Sequence, residues 1–506
     1  TSSMEAAEVL VEAAEENKSK NLITSWVGNQ TVEAAWDLFA RHQIPSYDTP
    51  EQAVRAFTYR ANYQRAQRQL SETPASIRKE FSTDEASART VIQAALNEQR
   101  QWLSEAEAKA VLAAYDIPVV STQIANSAEE AATRATEMGG PVALKVLSPQ
   151  ITHKSDVGGV ALDLDGYDAV KSEAEAMIER VVKNRPDATL EGFTVQPMIN
   201  RPGARELIVG VSEDHQFGPV ILFGQGGTAV EVLQDTAITL PPLNMKLAHE
   251  VMERTRIIKL LKGYRDRPAA DLEAIALTLM KISQMLVDLP EMVELDINPL
   301  LADERGVMAL DARIKVRDCP VGCSGEHRLA IRPYPKALEQ EISLDDGRSF
   351  LLRPIKPEDE PALKEGFNKY TEEEKRMRFF VPMKTLSHVA AARFTQIDYD
   401  REVALVLTQP GIPGQTPIFG TVRLNCDPDN TRGEFAIILQ GEYGGFGLGT
   451  RMMPAIIDYG RSRRLQEIFG DVLRENNHML HLCRRLGFDE RMDTEDPSVI
   501  HVRLEL

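Results

Sequence analysis

The stretch "GEYGGFGLG", Gly441 to Gly449, puts five glycines into nine residues. It follows the apolar run "EFAIIL" and precedes "TRMMPAIIDYG", whose apolar residues have helical spacing. Glycine in a strand-to-helix turn answers a need for positive φ or for close approach of something large. If the turn is more than a tight connection, the backbone N–H groups of Gly445, Gly447, Leu448, Gly449 and Thr450 and the positive end of the following helix all favour an anion there. A phosphate is the expected one.

Working outward, "EVALVLTQ" and "IFGTVRLN" flank the loop "PGIPGQTP", a hairpin signal. After the turn come the strand "EIFGDVL", the helix "NNHMLHLCRRL" and a last strand "VIHVRLEL", which together predict a mixed α/β sheet. Strand alternation puts Glu434, Ala436 and Ile438 of "EFAIIL" on one face. Glu434 is either a solvated strand-end residue or a base beside whatever the turn holds. Met479, Leu482, Cys483 and Leu486 share a helix face and read as core, with His478 and His481 on the surface.

Residues 346–506 resemble the GNAT N-acetyltransferase family through "GGFGLGTRMM" and the pattern N-x-x-M-x-x-L-x-x-x-L-G-F at Asn476 to Phe488. The resemblance implies that the turn holds the pyrophosphate of acetyl-CoA, with Ile437, Leu439 and Asn476 also at the cofactor. It implies that Glu434, in "DPDNTRGEFA", is the general base of a protein lysine acetyltransferase. Two positions depart from the family: Gly444 stands where a long polar side chain is usual, and Cys483 where many members have an acidic tyrosine. The general acid is left unassigned.

The chain has 506 residues, enough for about three domains. Its formal net charge of −18 argues against general nucleic-acid binding, which needs clustered Lys and Arg. No run of 18 apolar residues and no leader at Thr1 is visible, and four cysteines make no disulfide framework, so a cytoplasmic protein is expected. In "DCPVGCSGEH", Cys319, Cys323 and His327 offer three soft ligands where zinc takes four, and residues 318–345 read as a linker.

The unit 86–317 opens with a capping box, Ser104 and Glu107, ahead of an apolar helical stripe. Lys145 lies on the apolar strand of "VALKVLSPQITHKSDVGGV", facing a glycine loop, an arrangement that suits phosphate. Glu206 begins another strand, and Asp296 and Asn298, two apart in "VELDINPLL", are either a strand-end turn or oxygen ligands for Mg²⁺. These motifs together resemble the ATP-grasp part of ADP-forming acyl-CoA synthetases. That resemblance implies Lys145 on ATP phosphate, Glu206 on the nucleotide, Gln196 and Met198 flanking adenine, Asp296 and Asn298 on the metal, and His153 in phosphoryl relay. "FGQGGTAVEVLQD", with Gly224, Gly226 and Gly227, is also typical of the family and is expected to approach phosphate or substrate.

Residues 1–75 resemble the end of the synthetase's CoA-ligase portion, and the chain reads as starting inside a domain. The expected architecture is thus an α/β multidomain chain: a partial CoA-ligase-like fragment, an ATP-grasp domain, a linker and a GNAT domain. The expected function is lysine acetylation of protein substrates, acyl-CoA synthetases among them, using acetyl-CoA and with ATP or ADP and Mg²⁺ at the regulatory part. No nucleic acid or membrane partner is expected, and a homo-oligomer is left open. The alternatives are an active ADP-forming acyl-CoA ligase with an accessory GNAT domain, and a catalytically decayed sensor of acetyl-CoA and nucleotide.

Overall fold

The computed structural model describes residues 2–16, 22–28, 30–71, 83–148, 150–151, 154–227, 234–265, 267–319, 325–344 and 346–506. Two compact units emerge, one made of Thr1–Thr73 with Leu386–Gln396, the other of Pro74–Thr385 with Ile397–Leu506. In the first, helices Ser3–Glu16 and Glu33–Arg41 bury Ala7, Val11, Ala35 and Phe39, and Trp26 packs its ring 5.4 Å from Phe39. Its strands, Thr24–Ser25 and Ser46–Tyr47, form one short parallel pair, too little sheet to bury a larger core.

The second unit contains three sheets. A four-stranded sheet runs in the order Gln123–Ala125, Gly192–Pro197, Val142–Leu147, Val160–Leu164, with every neighbour antiparallel. Helices Ala128–Met138 and Tyr167–Asn184 cover it, burying Ala132, Val170 and Met177 against Leu144 and Val195. A six-stranded sheet is built on the long strand Met292–Asp303, which pairs with Arg205–Asp214, Gly306–Ala309 and Ala312–Val316. Its core includes Leu207, Phe223, Leu279 and Ile297. The capping box forms as the sequence predicts: Glu107 N–H donates to Ser104 Oγ at 3.3 Å and Ser104 N–H to Glu107 Oε2 at 2.7 Å. That cap fixes the start of helix Glu105–Ala114.

The third sheet has eight strands and includes the predicted hairpin, Glu402–Thr408 against Ile418–Cys426. Its fifth neighbour pair is different in kind from the rest, which are antiparallel. The strand Arg432–Leu439 runs parallel to Glu467–Leu473 and pairs only at Arg432 with Glu467, Gly433 with Ile468 and Glu434 with Phe469. Beyond that point the two strands part. Next to the last rung the Phe435 ring packs on Gly470, where a Cβ would lie 2.7 Å from it, so this position has room only for glycine. No described helix is long and apolar enough to cross a membrane.

Cys319 is disulfide-bonded, so it is not available as a thiolate ligand, which the cysteine count alone does not anticipate. Cys323 and the His327 side chain lie outside the described residues. Cys426 and Cys483 are free thiols.

Candidate functional site: a glycine turn and a lysine cleft

The parted strands lead directly into the glycine turn. Residues Gly441–Tyr443 form a short 3₁₀ turn, and Tyr443 anchors it by packing its ring 4.5 Å from Phe419 and 5.8 Å from Phe350. Gly445 (φ +82°) and Gly447 (φ +73°) take left-handed backbone, which accounts for two of the five glycines. Leu448 is buried and pins the far side of the turn in the core, leaving only its backbone for a ligand. Helix Gly449–Ser462 then starts without a side-chain cap. Thr450 N–H turns back to Gly447 C=O at 3.1 Å, and its hydroxyl donates to the same oxygen at 2.6 Å.

The N–H groups of Gly445 to Gly449 have no acceptor among the described residues. Orphan donors at a helix N-terminus fit an anion such as a pyrophosphate. Gly444 is extended (φ −66°, ψ 153°), so its lack of a side chain is not imposed by backbone conformation.

Glu434 is exposed and sits at the last rung before the strands part, between Asn425 on one side and Phe469 on the other. The loop before it is held by Asp427, whose carboxylate accepts from Thr431 N–H at 2.7 Å and Thr431 Oγ1 at 2.8 Å. The closed end of the fork is tied by buried Glu467, which pairs with both Arg432 and Arg503. From helix Glu372–Phe379, Arg378 faces this region; burial pulls its pKa down, and the charge of Glu434 opposes that pull. Ile437 and Leu439 lie half-buried where the strand no longer pairs with Glu467–Leu473, while still paired with Val422 and Gly420 on the other side. Asn476 is committed to capping its own helix, with Oδ1 accepting Met479 N–H at 3.1 Å, so only its amide NH₂ is left for a ligand. Cys483 is buried, and burial pushes its thiol up to about 12, which fits core rather than acid.

In the middle region the predicted Lys145 is at the centre of a buried cluster that the sequence did not announce. Its Nζ donates to Glu105 Oε1 at 2.7 Å, and Asp311 Oδ2 lies 3.6 Å away. Lys109 Nζ, one helical turn beyond Glu105, donates to the same Oε1 at 2.9 Å, to Thr122 Oγ1 at 2.8 Å and to Gln196 Oε1 at 2.8 Å. Lys154 Nζ reaches Glu105 Oε2 at 2.8 Å. Burial works against the Glu105 charge, but Lys145, Lys154 and Lys109 override it and hold the carboxyl well below its usual range. Burial also pulls Lys145 down, and Asp311 and Glu105 more than compensate. For Lys109, burial prevails over Glu105 and lowers the pKa.

Gln196 is therefore tied to Lys145 through Lys109 and Glu105. Met198 is half-buried and fixed by its N–H to Pro141 C=O at 2.9 Å. Glu206 and Asn298 meet elsewhere, over the second glycine loop. Gly227 N–H donates to Asn298 Oδ1 at 3.0 Å, and a Cβ on Gly227 would fall 2.0 Å from Glu206 Oε2. Asp296 is half-buried on the same face as Asn298, alternating with buried Leu295 and Ile297. Among the described residues no group of three His, Cys, Asp or Glu could hold a metal. One carboxylate and one amide suit Mg²⁺, which keeps its waters and takes phosphate oxygens. His153 and residues 228–233 lie outside the described residues. Glu105, Lys109, Lys154 and Asp311 are the residues that sequence reasoning missed; the one local signal, Glu105 and Lys109 at i and i+4, is also the commonest surface pattern.

Residues 94–316 match the ATP-grasp domain family, and residues 349–489 match the acetyltransferase (GNAT) domain family. The chain is 38 % identical over 229 residues to the beta subunit of acetate–CoA ligase [ADP-forming] I of Pyrococcus furiosus, covering 45 % of this chain and 97 % of that subunit. It is 35 % identical over 306 residues to acetate–CoA ligase [ADP-forming] I of Archaeoglobus fulgidus, covering 60 % of this chain but only 43 % of that relative. Among solved structures it is similar to the GNAT domain of S. lividans PAT, at 26 % identity and a TM-score of 0.32, covering 34 % of this chain and 100 % of that one.

Proposed function

The chain belongs to the ATP-grasp family of the ADP-forming acetate–CoA ligases and carries a GNAT domain, and from that premise we propose that it transfers acetyl groups from acetyl-CoA to protein lysines under the control of its nucleotide-binding region. The observation that carries the reading is the alignment of three features: strands that part at Glu434, a turn whose N–H groups lack acceptors, and an uncapped helix behind it. The N–H groups of Gly445 to Gly449 hold the pyrophosphate, and the cleft between the parted strands takes the pantetheine arm.

A lysine ammonium, with a reference pKa of about 10.4, must lose a proton before it can attack. Glu434, exposed at the mouth of the fork, accepts that proton directly or through water. The amine nitrogen then bonds to the acetyl carbon, its second proton, acidic once the C–N bond has formed, passes to water, the thioester C–S bond breaks, and CoA leaves as its thiolate. Cys483 is too deeply buried and too weak an acid to protonate it, so solvent is the proton source. Acyl-CoA synthetases, whose products this domain would consume, are the proposed protein targets.

The test is transfer of label from acetyl-CoA to a purified acetyl-CoA synthetase by the unmodified chain and by Glu434→Gln. Loss of a general base lowers turnover by about 10²- to 10⁴-fold. Equal turnover of the two proteins would remove Glu434 from the mechanism, and no transfer by either would remove the lysine acetyltransferase reading.

A second reading is favoured by the lysine cleft. The buried cations at Lys145 and Lys154 and the Asp296–Asn298 pair would hold ATP phosphates with Mg²⁺, whose chemistry there would be charge neutralisation of the transferred phosphoryl group. In that case the chain would form acetyl-CoA, ADP and phosphate from acetate, CoA and ATP. ADP release dependent on both acetate and CoA would establish it; ATP binding without ADP release would leave the cleft as the regulatory site of an acetyltransferase.

A further inference from the structure

One carboxylate in the lysine cleft holds three ammonium groups. Lys145 and Lys109 lie 2.7 and 2.9 Å from Glu105 Oε1, and Lys154 lies 2.8 Å from Oε2. Their side chains are 9, 4 and 14 % exposed, and that of Glu105 is 3 % exposed. Three positive charges against one negative leave an excess of two, and Asp311, at 3.6 Å from Lys145, offsets one more. An excess cation out of water is costly, so the cluster is one anion short.

The donors are not equally committed. Lys109 gives all three of its N–H groups to Glu105, Thr122 and Gln196, and so is a fixed strut. Lys154 donates only to Glu105 among the described residues, and Lys145 donates to Glu105 with Asp311 as a longer second partner at 3.6 Å, so each keeps at least one N–H group for a further acceptor. They arrive from different elements, Lys145 from strand Val142–Leu147 and Lys154 from the 3₁₀ turn Lys154–Val157. Without a shared anion their repulsion would separate them. Ammonium nitrogens 2.7–2.8 Å from an anionic oxygen have the spacing that lysines also adopt around a phosphate oxygen.

We propose that Glu105 is the resident anion of a polyphosphate site: in the absence of nucleotide its carboxylate stands where a phosphate would, keeps Lys145 and Lys154 converged, and must be outcompeted when nucleotide binds. The site is thereby kept assembled but of restrained affinity, filling only when nucleotide is abundant. This rests on the reading of the cleft as a nucleotide site and adds to it a residue that opposes binding rather than assisting it.

The experiment is calorimetric titration of the full chain, unmodified and Glu105→Gln, with ATP and with inorganic tripolyphosphate. The amide keeps the shape of the side chain and removes the competing charge. Both ligands are expected to bind Glu105→Gln about tenfold more tightly, a change of about 1.4 kcal/mol. The ligand-free melting temperature is expected to fall and to be restored by tripolyphosphate. Folded Glu105→Gln that binds ATP no more tightly than the unmodified chain overturns the proposal and leaves the nucleotide site intact. Folded proteins that both ignore ATP and tripolyphosphate overturn the nucleotide reading itself, and the proposal with it. If Glu105→Gln does not fold, Glu105→Asp decides: its shorter carboxylate cannot hold both lysines, so tighter binding of tripolyphosphate is expected, and unchanged or weaker binding overturns the proposal.

Discussion

The glycine turn and the lysine cleft are two physically opposite ways to meet a phosphate. The turn is exposed, uses backbone N–H groups, and contains no ionisable side chain between Gly444 and Thr450. The cleft is buried and uses three side-chain charges gathered on one carboxylate. The difference is one of energetic risk. Backbone dipoles at a helix end favour an anion modestly and cost little when no anion is there. Buried ammonium groups favour it strongly and must be neutralised by something in the meantime. Glu105 has that role in the cleft, and the turn needs no counterpart.

The largest effect that would break this comparison is loss of a single lysine. Lys145→Met removes a charge-assisted hydrogen bond worth about 1.5–3 kcal/mol. ATP binding is expected to weaken by roughly 10- to 100-fold while acetyl-CoA binding stays within a factor of about two. Titration of both ligands against the one variant checks it. Equal weakening of the two would mean that the cleft and the turn are not separate sites.

A smaller effect concerns acid. The folded Glu105 carboxyl holds its proton less well than the unfolded one, whose reference value is 4.5. The stabilisation is therefore complete above about pH 4.5 and is lost as the pH falls below it, because the unfolded chain then binds the extra proton. Melting temperatures measured downward from neutral pH should fall more steeply for the unmodified chain than for Glu105→Gln. Since the turn has no titrating side chain of its own, acetyl-CoA affinity of the folded protein should be flat over the same range. Parallel melting curves for the two proteins would show that Glu105 is not held ionised by its lysines.

The same contrast decides what could be read from sequence. Everything the turn needs lies within a few contiguous residues, so its glycines, the helix behind it and the strand carrying Glu434 were all legible. The parting of the strands was not, because it is visible only in how Arg432–Leu439 meets Glu467–Leu473, two segments separated in the chain by the glycine turn and its helix. The cleft joins Glu105 and Lys109 of one helix to Lys145, Lys154, Gln196 and Asp311 from four other places in the chain, and of the six only Lys145 and Gln196 are singled out by the sequence. The capping box at Ser104 is plain in the sequence, but nothing local distinguishes Glu105, in its first turn, from the acids that commonly stand at a helix N-terminus. Asn476 adds a use its motif does not disclose: its Oδ1 caps its own helix, which leaves the amide NH₂ for the cofactor contact that the motif implies.

The smallest expected effect sharpens the comparison most, because it adds to the turn the one thing the cleft relies on, a polar side chain. Gly444 has an extended backbone open to any residue, and a Cβ there would sit 3.0 Å from Gly441 C=O. That contact is tight by a few tenths of an ångström, and the carbonyl is already held by Gly444 N–H at 2.9 Å, so it can give only slightly. Against this small cost stands one new hydrogen bond to a charged group, worth about 1.5–3 kcal/mol before the side chain's ordering entropy of up to about 2 kcal/mol is subtracted. Gly444→Gln is therefore expected to tighten acetyl-CoA binding only a few-fold, measured by titration, with turnover at saturating acetyl-CoA unchanged. Weaker binding would have a definite meaning: the 3₁₀ turn at Gly441–Tyr443 has no room for a side chain, and this chain has given up the usual polar contact to keep that turn closed over the Phe350, Phe419 and Tyr443 rings.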